Sequence, residues 1–262
     1  MDVFHPLRNR RRKKIVAEPF PSTWAEIIDA NVPYCRMLRT SEKHRLWDLI
    51  KVFIAEKNFE GCNGLVVTEE MKLIIAAQAC LLLINLKHNY FEKLVSILVY
   101  PAGFEFERED WSETGLVSVE RIPVSGLSTD IGSIALSWPD TADGARLPDD
   151  GANVILHEFA HQLDLLDNVM DGAPILNSRA LYGTWAKVLG AEFERLRSEV
   201  AQGIPSLISS YGATKPAEFF AVVTELFFER PHELRRQHPA LYDEFKKYYG
   251  QDPATRFPMP SD

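Results

Sequence analysis

Residues 154 to 164 read VILHEFAHQLD, which puts His157, Glu158 and His161 in the order H-E-x-x-H. On an α-helix, residues four apart lie about 40° apart around the axis and roughly 6 Å apart along it, so both histidines can reach one metal ion. Imidazole nitrogens suit zinc, whose catalytic sites keep three protein ligands and leave a position for water. Glu158 lies about 100° round the helix from His157, which suits accepting a proton from that water, the general-base role of this motif. So short a motif also arises by chance, in roughly one or two chains per hundred of this length and composition, and the alternative is a pair of satisfied core histidines. The apolar flanks VIL, FA and L weigh against that alternative. A largely buried helix leaves two histidines and a glutamate in need of a partner, because an unpaired buried charge is costly. Asn153 and Asp150, after the turn-like LPDDG, are candidate N-caps.

A third ligand has two kinds of candidate. Asp164 and Asp167 are close in sequence, but in the pattern H-E-x-x-H-x-x-G-x-x-H they occupy the glycine and final histidine positions, so the glycine that permits the turn is missing. Asp164 is also nearly in line with His157 along the helix, which suits orienting an imidazole or capping better than direct ligation. The distant candidate is Glu218 in SSYGATKPAEFFAVVTELFFE, where Thr214 and Pro216 mark a helix start. There its carboxylate points away from the core formed by Phe219, Phe220, Val223 and Phe227, and it would complete a His₂Glu set. A first-turn glutamate is also what a helix dipole favours, so a purely structural role stays open. Glu225 shares that face and reads equally as a partner behind a ligand or as a surface residue.

The elements that must position these groups follow from pattern and punctuation. The chain has 262 residues, 46% of them hydrophobic and 25% charged, the balance of an ordinary globular α+β protein. Helical spacing marks STWAEIIDANV, SEKHRLWDLIKVFIAEKNF and a run capped by Thr68 that reaches about Leu86. Strands are expected at Leu94–Pro101, Gly115–Val124 and Gly132–Trp138, followed by a helical half from about Gly151 to Tyr249. GSIALSW is the candidate edge strand that could pair with an extended peptide beside the metal helix; an ordinary half-buried strand is the alternative. Residues 1–22 are expected to be an irregular basic segment, 23–250 one compact unit, and 251–262 an irregular tail. The longest apolar run, Leu73 to Leu86, is too short to span a membrane. A net charge of -8 argues against direct nucleic-acid binding, and three cysteines without a C-x-x-C pair suit a reduced, cytoplasmic protein.

HEFAHQLD followed by SYGATKPAEFFAVVTELFFE resembles the Mlc titration factor A family of zinc peptidases, and Phe59 to Leu83, the stretch ending LVYP and the LSW before the metal helix extend the likeness over most of the chain. The second block is also similar to the catalytic domain of anthrax lethal factor. The resemblance implies a zincin-like core of a small sheet and a metal helix behind an N-terminal helical region. It implies zinc held by His157, His161 and Glu218, with Glu158 as the catalytic glutamate. By the lethal-factor pattern, in which a tyrosine stands seven residues before the ligand glutamate, Tyr211 is the active-site tyrosine. Aminopeptidase-type activity on short peptides is implied, and so is a rival role, binding a transcriptional repressor of sugar-uptake genes with the zinc site secondary. Leu127 departs from the family pattern, which has a polar residue there.

Overall fold

The apolar run that begins at Leu73 becomes a buried helix with ordinary start signals. In the computed structural model, which describes residues 6–86, 90–111, 117–124, 126–128, 132–147, 149–176 and 178–257, Thr68 Oγ1 accepts a hydrogen bond from the Met71 amide, and Glu69 and Glu70 occupy the first turn. The elements run α1 (Pro6–Ala17), α2 (Ser22–Asn31), α3 (Thr40–Glu56), β1 (Asn58–Gly61), α4 (Glu69–Leu81), β2 (Ser96–Tyr100), β3 (Phe104–Trp111), β4 (Val117–Val124), β5 (Gly126–Ser128) and β6 (Ser133–Ser137). Then come α5 (Trp138–Arg146), α6 (Val154–Asp164), α7 (Arg179–Gln202), α8 (Pro216–Glu229), α9 (Pro231–Gln237) and α10 (Pro239–Tyr249). The protein is thus α+β, and among the described residues no helix is long and apolar enough to cross a membrane.

The main sheet has the order β1-β2-β6-β5, with β1, β2 and β6 parallel and β5 antiparallel to β6; β3 and β4 form a separate antiparallel pair. GSIALSW is therefore not the edge. β6 lies between β2 and β5, with Ile134, Ala135, Leu136 and Ser137 all buried, as a central strand requires. The edge beside helix α6 is β5, too short to stand out as a strand in the sequence, in which Leu127 faces Ala135 in the register.

The N-terminal segment expected to be irregular is helical from Pro6 to Ala17. It has no apolar face to reveal it, and ion pairs hold it instead: Arg12 reaches both carboxylate oxygens of Glu56, at 2.8 and 2.7 Å, and lies over the Tyr90 ring. The Lys51 ammonium donates to the carbonyls of Val16 and Glu18 and so ties down the end of α1. The C-terminal stretch has one 3₁₀ turn, Pro253–Thr255, and is pinned by Arg256, which donates to Glu42 at 2.6 Å and to Tyr34 Oη at 2.9 Å. Residues 258–262 of the expected tail lie outside the described residues. One hydrophobic cluster extends in sequence from Ile28 to Ala254. Within it Phe159 of α6 meets Phe53 and Phe91 edge-on or tilted, which seats the inner face of that helix.

Candidate metal centre

Helix α6 starts where Asn153 accepts a hydrogen bond from the Leu156 amide through its side-chain oxygen. The same asparagine is gripped from α8: its backbone amide donates to Glu225 Oε2 at 2.6 Å, and its Nδ2 donates to Glu229 Oε1 at 2.9 Å. Glu229 Oε2 also accepts from the Gly151 amide. Glu218, Glu225 and Glu229 follow the spacing of one helix face, so α8 presents three carboxylates to the start of α6 while its other faces are apolar and buried. Of the three, sequence reasoning weighed Glu218, left Glu225 open and missed Glu229; the signal was the i, i+7, i+11 spacing of acids on an otherwise apolar helix.

At the first of these carboxylates the two helices meet. Glu218 Oε2 lies 3.0 Å from His157 Nε2 and 3.3 Å from His161 Nε2, and the three donor atoms fall within 4.8 Å of one another. His157 Nδ1 is 2.7 Å from Glu225 Oε1. If that nitrogen carries the proton, Nε2 turns a lone pair toward the Glu218 carboxylate, an arrangement that needs a cation between them. Without a metal, a second ring proton takes that place and Nε2 donates to Glu218. Burial lowers the proton affinity of His157, but Glu218 and Glu225 outweigh it and raise its pKa to about 10. Burial pulls the Glu218 carboxyl upward, yet His157 and His161 hold it well below the usual carboxylate range. Two nitrogens and one carboxylate converging in this way fit a divalent cation of the zinc type.

Glu158 stands beside the cluster, 5% exposed, and its Oε2 has no hydrogen-bond partner among the described residues. Burial raises its pKa to about 7 against the lowering influence of His157 and His161. The β5 edge presses on it: a Cβ at Gly126 would lie 2.6 Å from Glu158 Oε1 and 2.5 Å from Val154 Cγ2, so a larger residue there would displace those side chains. Tyr211 precedes α8 in a 3₁₀ turn and is 54% exposed, with its ring 5.9 Å from that of His157. The near candidates are engaged elsewhere. Asp164 Oδ2 accepts from the Gly172 amide at 2.8 Å, and Asp167 Oδ1 accepts from the Val169 amide at 3.1 Å.

The chain matches the family described as glucose-regulated metallo-peptidase M90 over residues 7–250. It is similar to an uncharacterized protein of Synechocystis sp., 41% identical over 93% of this chain and 89% of that one. Mlc titration factor A of Escherichia fergusonii is 33% identical over 86% of this chain and 85% of its own length, and that of Serratia proteamaculans 32% over 91% and 92%.

Proposed function

Since the chain belongs to the glucose-regulated metallopeptidase family, we propose that it is a zinc-dependent peptidase of the aminopeptidase type that hydrolyses short peptides in the cytoplasm. The observation that carries this reading is the convergence of His157 Nε2, His161 Nε2 and a Glu218 carboxylate oxygen within 4.8 Å. Zinc bound there supplies Lewis acidity, lowering the pKa of a water to about 7 and polarising a carbonyl. Glu158 then acts as the proton carrier. Its carboxylate takes the proton of the attacking water and delivers it to the leaving amine nitrogen, a task for which a pKa near neutrality is suited. The Tyr211 hydroxyl donates to the oxygen that gains negative charge as the carbonyl becomes tetrahedral. Glu225 holds the His157 ring in place and fixes its tautomer. The three cysteines are free, as a reducing compartment would leave them.

The test is metal content by elemental analysis of wild type, Glu218→Ala and Asp164→Ala, each assayed on chromogenic aminoacyl peptides. About one zinc per chain, kept in Asp164→Ala and lost in Glu218→Ala together with hydrolysis, is the expected result. A wild type that cannot be loaded with zinc would sink the peptidase reading. A second reading comes from the relatives named as Mlc titration factors: this chain also binds a transcriptional repressor. Surface variants that lose repressor binding while keeping hydrolysis would establish it as a separate role.

A further inference from the structure

Beside α7 lies a cavity of about 290 Å³, lined by neither Glu158 nor the two histidines, that the mechanism does not use. We propose that it binds a small aromatic amine, and that this ligand and the metal strengthen each other's binding. The walls set the chemistry: the rings of Tyr182, Trp185, Phe193 and Phe219 line it, while Ala186 and Gly190 leave the α7 side open. An apolar cavity of about 150 Å³ accepts benzene, so this one has room for a fused two-ring body. The polar end is acidic. Asp171 sits at the cavity with one oxygen accepting from the Ala173 amide, and its charge adds to those of Asp164 and Asp167 nearby, which favours a cationic head group.

Gly172, in the wall of this cavity, joins three helices. Its amide donates to Asp164 at the end of α6, and its carbonyl accepts from Trp185 Nε1 of α7 at 3.0 Å. At a φ of +78° it packs so closely on α8 that a Cβ would lie 2.5 Å from the Pro216 carbonyl oxygen. His161 and Glu218 stand within one turn of those two attachment points. A ligand packed against Gly172, Trp185, Pro216 and Phe219 favours the arrangement in which both helices are held together, and by linkage the metal favours the ligand in return. This coupling rests on the metal reading above; the cavity and its binding do not.

Tryptamine, titrated calorimetrically into the full-length chain stripped of metal and loaded with zinc, tests both parts. Expected are one molecule per chain in either form and an affinity about fivefold or more higher with zinc. In Gly190→Leu, where an added Cβ meets nothing within 4 Å, the new side chain fills the cavity, and tryptamine affinity falls about tenfold or more with zinc content unchanged. Asp171→Asn weakens tryptamine but leaves neutral indole unaffected. No binding to the metal-free wild type, or equal binding by Gly190→Leu, overturns the site; equal affinity with and without zinc overturns the coupling. Should the chain take up no zinc, the metal-free titrations still decide the site.

Discussion

The side chains at the centre differ in their partners, from Glu225 on His157 to the unpartnered Glu158 Oε2, which makes single substitutions informative. Glu225 touches His157 Nδ1 and the Asn153 amide. Glu225→Gln should therefore weaken metal binding about 10- to 100-fold, measured by competition with a chromophoric chelator, while the far-ultraviolet circular dichroism stays that of wild type. Unchanged metal affinity would show that the contact merely packs. Glu158→Gln has a different signature, because it removes the proposed proton carrier and leaves the three candidate donor atoms intact. It should keep its zinc and lose about 10²- to 10⁴-fold in kcat; loss of metal instead would make Glu158 a ligand. Tyr211→Phe is expected to lower kcat about 10²-fold with little change in KM, as loss of an oxyanion donor does, whereas an equal fall in binding would make the tyrosine a substrate-contact residue only.

At the scale of elements, the start of α6 hangs on α8 through Glu229, and that contact is pH-sensitive. Burial foremost, with Asp150 and Glu225 adding to it, raises the Glu229 carboxyl from 4.5 to about 9 against the lowering hydrogen bond from Asn153. A carboxyl raised on folding contributes stability that is fully present below its unfolded pKa and is lost as pH rises through the folded value. Its contribution should thus decline between pH 4.5 and about 9. Glu229→Gln cannot titrate, so the variant's urea midpoint should fall less steeply with pH across that window than the wild type's; parallel profiles would remove Glu229 from the account. Helices α4, α6 and α8 were legible from sequence: Thr68, Asn153 and Pro216 are ordinary start signals, and the apolar spacing of α4 and α8 leaves little choice. What was hidden depends on contacts between distant segments. α1 is held by Arg12 and Glu56 rather than by an apolar stripe, β5 is a three-residue edge set by its neighbour, and Glu229 reads as a surface acid until Asn153 is placed beside it.

For the molecule as a whole, the proposed metal ligands come from α6 and α8, with the 24 residues of α7 between them in sequence. The donor set exists only when the fold has brought the two helices together, and an unfolded chain offers no equivalent. A ligand that binds only the native state stabilises it by RT ln(1 + [L]/Kd), about 2.7 kcal/mol at a hundredfold excess over Kd. For a chain of this size each kcal/mol moves Tm by about 2–4 °C, so chelation of zinc-loaded wild type should lower Tm by roughly 5–10 °C. Glu218→Ala lacks the donor that bridges both histidines, and its Tm should hardly respond to chelator or to added zinc. The comparison separates a metal that ties α6 to α8 from one bound to the α6 histidines alone. In the second case Glu218→Ala would show the same chelator-induced shift as wild type, and the distant ligand would have to be given up.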